Sequence, residues 1–141
     1  MLVRLLYVSR SVKPETPEET ESILASSREH NISNGITGVL CFGGGIYLQA
    51  IEGGRNQVNA LYTHIVKDPR HKDVVILAYE EISERRFGGW TMGHVRLDKL
   101  NPSIVLKYSE TPELDPYGVS GNVSFALLEE LMATASIVGR A

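Results

Sequence analysis

The residues with the most chemical promise are polar side chains that stand where apolar ones are expected. Gln49 lies inside the apolar run Ile46–Ile51, on the same side as Tyr47 and Ile51 by the two-residue period of a strand. Leaving a buried amide unpaired costs about 1–3 kcal/mol, so Gln49 needs partners. Tyr7 shares a strand face with Val3 and Leu5 and offers a phenol that both donates and accepts. Ile23, Ser27 and Asn31 follow one another at four-residue spacing, one stripe of a helix that is apolar at one end and polar at the other. His64 and Asp68 sit on a second helical segment, and Arg70-His71 follow it. Trp90, Met92 and His94 alternate along a late strand-like stretch and are expected on one face. Taken singly, each has an ordinary structural explanation. Taken together, they converge on one face of a sheet, which favours a bound ligand.

Other chemistry finds less support. The four histidines, His30, His64, His71 and His94, have no metal-ligand spacing. Gly43-Gly44-Gly45 lacks the Gly-Lys-Ser/Thr ending of a phosphate loop and leads into a strand rather than a helix. Cys41 is the single cysteine and sits in an apolar strand, so it reads as a small buried residue without an activating partner. It allows no internal disulfide, and a cytoplasmic setting fits.

The elements that must position these residues follow from pattern. Leu2 to Val8 has strand composition. Thr16-Pro17-Glu18-Glu19 is a helix start, with a capping threonine, proline at the first helical position and Glu19 to complete a capping box. That helix is expected to reach about His30. Ile36–Phe42 and Ile46–Ile51 are two strands joined by the glycine turn, a hairpin. After Gly53-Gly54, residues Val58, Leu61, Tyr62 and Ile65 keep helical spacing until Lys67 and Pro69. Asp73 to Ile82 and Trp90 to Leu97 are the last two strands. The order strand, helix, strand, strand, helix, strand, strand gives an α+β, ferredoxin-like βαββαββ unit with a five-stranded mixed sheet. Two helices cover one face of that sheet and leave the other bare.

The remainder has a different character. Asn101-Pro102 opens a short helix through Tyr108, and Thr111–Gly121 reads as a loop. Phe125, Leu128, Leu131 and Met132 mark an amphipathic helix ending near Gly139. Two parts are expected: residues 1–97 as the binding domain, and residues 98–141 as a helical extension packing on the uncovered sheet face. The chain has 141 residues, a net charge of −3 and no run near the ~20 apolar residues of a membrane helix. Bulk attraction to nucleic acid and membrane insertion are therefore not expected. The N-terminus, interrupted by Arg4, reads as a strand rather than a signal peptide.

The ordered set of motifs resembles the BLUF domains, blue-light sensors using FAD. It comprises Tyr7; Asn31 ahead of Asn34-Gly35-Ile36-Thr37-Gly38-Val39-Leu40; Tyr47-Leu48-Gln49-Ala50-Ile51-Glu52-Gly53; Asp68-Pro69-Arg70-His71; and Arg85-Arg86-Phe87-Gly88-Gly89-Trp90-Thr91-Met92. The similarity spans Leu2 to about Leu97. It implies a flavin held between the two helices, FAD with FMN an open alternative. By the same resemblance, Ile23 and Ile65 pack on the ring, and Asn31 bonds its polar edge with Ser27 and His30 nearby. His64, Asp68, Arg70 and His71 lie toward the ribityl and phosphate end. Tyr7 and Gln49 form the photochemical switch, with Trp90 and Met92 carrying the signal out of the site. In the family, light drives an electron and a proton from the matching tyrosine; recombination leaves rearranged hydrogen bonds and a red-shifted spectrum. The implied function is a non-enzymatic photoreceptor acting on a downstream protein, with a homodimer as a further arrangement. The rivals are a flavin-dependent oxidoreductase and a ligand-binding module without photochemistry.

Overall fold

The computed structural model describes residues 1–14 and 16–134. Its sheet contains β1 (Leu2–Ser11), β2 (Thr37–Gly43), β3 (Ile46–Gly54), β4 (His71–Ile82) and β5 (Gly93–Arg96). The strand order is β4-β1-β3-β2-β5, antiparallel throughout except for the parallel β2–β5 pair. This is the mixed α+β sheet anticipated from the element order. Helices α1 (Pro17–Asn34) and α2 (Arg55–Lys67) supply side chains to one face. Later come α3 (Pro102–Leu106) and α4 (Gly121–Ala133).

Local chemistry explains the boundaries. Thr16 Oγ1 accepts the Glu19 N–H at 3.1 Å, and Pro17 occupies the first helical turn. Helix α1 runs past His30 to Asn34, because the first residue able to end it cheaply is Gly35 in the left-handed region. Gly44 and Gly45 have φ of 60° and 79°, the two positive values that a two-residue hairpin requires. The hairpin fixes the β2–β3 register, with Gln49 opposite Leu40, and the separate β1–β3 pairing sets Gln49 opposite Tyr7. Strand β4 begins at His71, two residues earlier than the composition suggests, by pairing that residue with Ser11.

The sheet separates two cores. The front cluster contains Val3, Leu5, Tyr7, Leu24, Leu40, Tyr47, Ile51, Val58 and Met92. The back cluster contains Leu6, Val8, Val39, Cys41, Leu48, Ala50, Phe87 and Val95, joined by Leu127, Leu128 and Leu131 of α4. Strand parity thus sorts side chains as read from sequence. Helix α4 approaches β4 so closely that a Cβ at Gly121 would stand 2.6 Å from the Leu77 carbonyl oxygen. The expected helix end near Gly139 lies outside the described residues.

One expectation is corrected. Residues 90–92 are not strand; β5 starts only at Gly93. Trp90 packs against the back cluster, whereas Met92 is fully buried in the front cluster. The turn at Gly88-Gly89 and the bend that follows break the two-residue period on which a shared face depended.

Candidate functional site

Between α1 and α2, above the sheet, lies a cleft of about 340 Å³, within the usual size range of small-molecule sites. Its sides are Ile23 of α1 and Leu61 and Ile65 of α2; Tyr7, Leu40, Tyr47 and Gln49 reach it from the strands. Ser27, His30 and Asn31 line one part, and His64, Asp68, Arg70 and His71 another. Trp90 does not line it. Met92 does not line it either, but touches it through Gln49.

The floor holds a short hydrogen-bonded chain. Tyr7 donates its O–H to Gln49 Oε1 at 2.5 Å, and Gln49 Nε2 lies 3.3 Å from Met92 Sδ. Tyr7 and Gln49 are both buried. Burial pushes the Tyr7 phenol well above its ordinary pKa, with the nearby Asp68 charge adding to the effect. The proton therefore rests on Tyr7, which donates it to the Gln49 oxygen. That leaves the amide N–H for a sulfur, a weak acceptor.

Asn31 is almost fully buried and donates through Nδ2 to the Thr91 carbonyl at 2.8 Å. Its Oδ1 is buried without a hydrogen-bond partner. An orphaned acceptor at a cleft wall fits a ligand carrying an N–H on a planar polar edge, as a flavin ring does. The apolar sides from Ile23, Leu61 and Ile65 fit its flat aromatic surface. Residues present and ligand chemistry thus agree.

The other end is ionic. Arg70 pairs with Asp68 through Nε and Nη2, at 3.0 and 2.5 Å to Oδ2. Those hydrogen bonds hold the Asp68 carboxyl below the usual range and raise the Arg70 guanidinium. His71 is more constrained than its place after a helix suggested. Its Nε2 contacts the Ile65 carbonyl, and Nδ1 lies 2.8 Å from Ser9 Oγ. A carbonyl only accepts, so Nε2 carries a proton. His64 and His30 are exposed at the rim.

Sequence reasoning missed several contributors. Leu40 and Leu61 line the cleft and were legible by strand register and by helical spacing to Ile65. Ser26 lines it from α1 without any signal of its own. Arg28 was the larger omission: it sits one helical turn from Asn31 and grips the Met92 carbonyl, with Nε at 3.2 Å and Nη2 at 3.0 Å. Among the described residues no group of three potential ligands could hold a metal ion, and no helix is long and apolar enough to cross a membrane.

The cleft sets a buried tyrosine hydrogen-bonded to a buried amide beneath apolar walls and an orphaned acceptor, the makings of a site for a flat, polar-edged ligand. Comparison with known proteins assigns it more closely. A family model for BLUF, sensors of blue-light using FAD, matches residues 2–93. The chain belongs to the BLUF family of blue-light flavin sensors. It is 34% identical over 88 residues to the blue light- and temperature-regulated antirepressor BluF of Escherichia coli K12, covering 62% of this chain and 22% of that protein. The chain thus spans about a fifth of the length of that relative. The dark-state structure of BlrB, a BLUF protein, superposes with a TM-score of 0.80 at 30% identity, covering 95% of this chain and 96% of that one. The photo-activated state of BlsA gives a TM-score of 0.86 at 27% identity, covering 100% and 99%.

Proposed function

We propose that this chain is a blue-light photoreceptor whose switch is the pair Tyr7 and Gln49, a sensor rather than an enzyme. The observation that carries the reading is the buried chain Tyr7 O–H, Gln49 amide, Met92 sulfur at the cleft floor. A bound flavin supplies the blue-light absorption and, once excited, a strong oxidant. Tyr7 is the donor: losing an electron makes a phenol strongly acidic, and its proton already lies along the bond to Gln49 Oε1. When the electron returns, the proton returns to Tyr7, so the cycle has no net redox change. What persists is the arrangement of Gln49. Rotation or tautomerisation of a side-chain amide exchanges acceptor and donor with almost no change of volume. A donor newly aimed at a flavin carbonyl gives the red shift.

Ile23, Leu61 and Ile65 hold the ring faces in this reading, Asn31 Oδ1 accepts from its polar edge, and Ser27 and His30 flank it. His64, Asp68, Arg70 and His71 serve the ribityl and phosphate end. FAD is the expected form, as the family's description has it; FMN is the alternative, and mass analysis of flavin released by acid distinguishes them. Trp90 acts outside the flavin site, on the back of the sheet. The setting is cytoplasmic, and the output is a downstream protein, reached through β5 and the helices after it. The close packing of Leu97, Leu100 and Ile104 on the back cluster supports that route. Hydrogen exchange from Asn101 onward should then differ between light and dark, and identical protection contradicts the route. Residues 98–141 are read as the output extension of the domain 1–97.

The test is a visible spectrum of purified protein before and after blue light. A reversible red shift is expected. Stable reduction by a pyridine nucleotide would instead make the chain an oxidoreductase. Failure to retain flavin after reconstitution would leave a plain ligand-binding module.

A further inference from the structure

The segment 90–92 joins the two faces of the sheet, and several contacts hold it, the Trp90 N–H donating to the Phe87 carbonyl at 3.1 Å among them. The Gly38 N–H donates to the Trp90 carbonyl at 3.0 Å. Asn31 Nδ2 donates to the Thr91 carbonyl at 2.8 Å. Arg28 donates twice to the Met92 carbonyl, and Gln49 Nε2 reaches Met92 Sδ at 3.3 Å. Only the last depends on which way the Gln49 amide points. If the amide turns, Met92 faces an oxygen, and a thioether has no proton to give it.

The contacts differ in strength. The amide–sulfur contact is weak, whereas the Arg28–carbonyl contact is charge-assisted and forked. Arg28 is itself steadied: its Nη2 lies 3.3 Å from His94 Nδ1. A guanidinium only donates, so His94 accepts there as the neutral tautomer with its proton on Nε2. Neither Arg28 nor His94 lines the cleft. Arg28 is half-buried on α1, so it can change without opening the core.

We infer that Arg28 is a positioning residue for the light switch: by anchoring the Met92 carbonyl it keeps the Met92 sulfur at the Gln49 amide and sets how readily the dark hydrogen-bond arrangement reforms. This inference rests on the photoreceptor reading above. Without Arg28 the Met92 carbonyl loses its firmest anchor, and the Met92 sulfur is held less closely at the Gln49 amide, the contact that the dark arrangement alone makes. The lit state should therefore decay more slowly.

The experiment uses the flavin-loaded chain, with Arg28→Gln and Arg28→Lys beside the wild type. Two quantities are read: the rate of dark recovery after blue light, and the Met92 methyl resonance in protein carrying 13C-methyl methionine. Arg28→Gln should retain flavin and slow recovery roughly two- to tenfold, as loss of a modest hydrogen bond implies. Its dark Met92 resonance should move toward the lit wild-type position. Arg28→Lys, with charge but no fork, should fall between. A purely structural role would leave the Met92 resonance in place. Wild-type recovery and an unmoved Met92 resonance in both variants, with the wild-type red shift intact, overturn the inference alone. A flavin-loaded wild type without any reversible shift overturns both it and the reading beneath it. Should Arg28→Gln fold poorly, Arg28→Lys decides the matter by the same two readouts.

Discussion

Gln49 and Glu52 stand three residues apart on β3 and point to opposite faces of the sheet. Both are buried and polar, yet their surroundings differ in kind. On the back, Glu52 is fully buried and saturated: Arg4 Nε at 2.9 Å, the Arg86 N–H at 3.0 Å and the Phe87 N–H at 2.7 Å all donate to it. Arg4 in turn pairs with Glu80 and lies 4.2 Å from the Phe125 ring centroid, so α4 closes over the pair. On the front, Gln49 spends its N–H on a sulfur, and Asn31 Oδ1 has no partner. A saturated buried network has one low-energy arrangement. An under-satisfied one invites a ligand and tolerates a second arrangement. The same strand therefore carries a lock on one side and the proposed switch on the other.

The comparison breaks most visibly at the lock. Glu52→Ala strands the Arg4 charge and two backbone N–H groups, and should cost about 3–5 kcal/mol in denaturant unfolding. A loss near zero would mean that the back face is not held by this network. Next comes the dry part of the same face. Leu128→Ala should cost about 2–5 kcal/mol, because the site is fully buried and can collapse only in part. If stability stays unchanged while the helix content of α4 is retained, α4 is not part of the folded core. On the front, substitutions should be cheap in stability and expensive in signal. Gln49→Leu should keep flavin and unfold within about 1–2 kcal/mol of wild type, while losing the reversible shift.

The smallest effect is a pH dependence. Burial, then the Arg28 charge, lowers the His94 pKa, with Glu21 opposing. The unfolded chain takes up this proton near ~6.5 and the folded chain only below that. The stability contributed by neutral His94 is therefore intact above that value and is lost as the pH falls through the lower folded one. His94→Gln should flatten this slope in unfolding curves recorded across the range; an unchanged slope would assign it to another group.

Much of this arrangement was legible in the chain. Strand parity put Tyr7 and Gln49 on the helix-covered face, and the glycine turn marked the hairpin that sets Gln49 opposite Leu40; the β1–β3 pairing that sets Tyr7 opposite Gln49 joins distant segments and has no local signal. The stripe Ile23, Ser27, Asn31 looked odd for a core helix because all three residues line a cleft. Other parts were hidden for physical reasons. Trp90 and Met92 part company at a bend, where no periodicity applies. Arg28 resembles any solvated helix arginine until a backbone carbonyl 64 residues away is brought to it. The Arg4–Phe125 contact joins the two ends of the chain, and neither residue's neighbours announce it.

The central claim is that the front face is a hydrogen-bond switch driven from Tyr7. Its most direct test is the light-minus-dark visible spectrum of flavin-loaded wild type and Tyr7→Phe, which removes one hydroxyl and leaves the ring packing. Wild type should shift reversibly to the red, and Tyr7→Phe, with flavin still bound, should show no such shift. A normal photocycle in Tyr7→Phe would contradict the account.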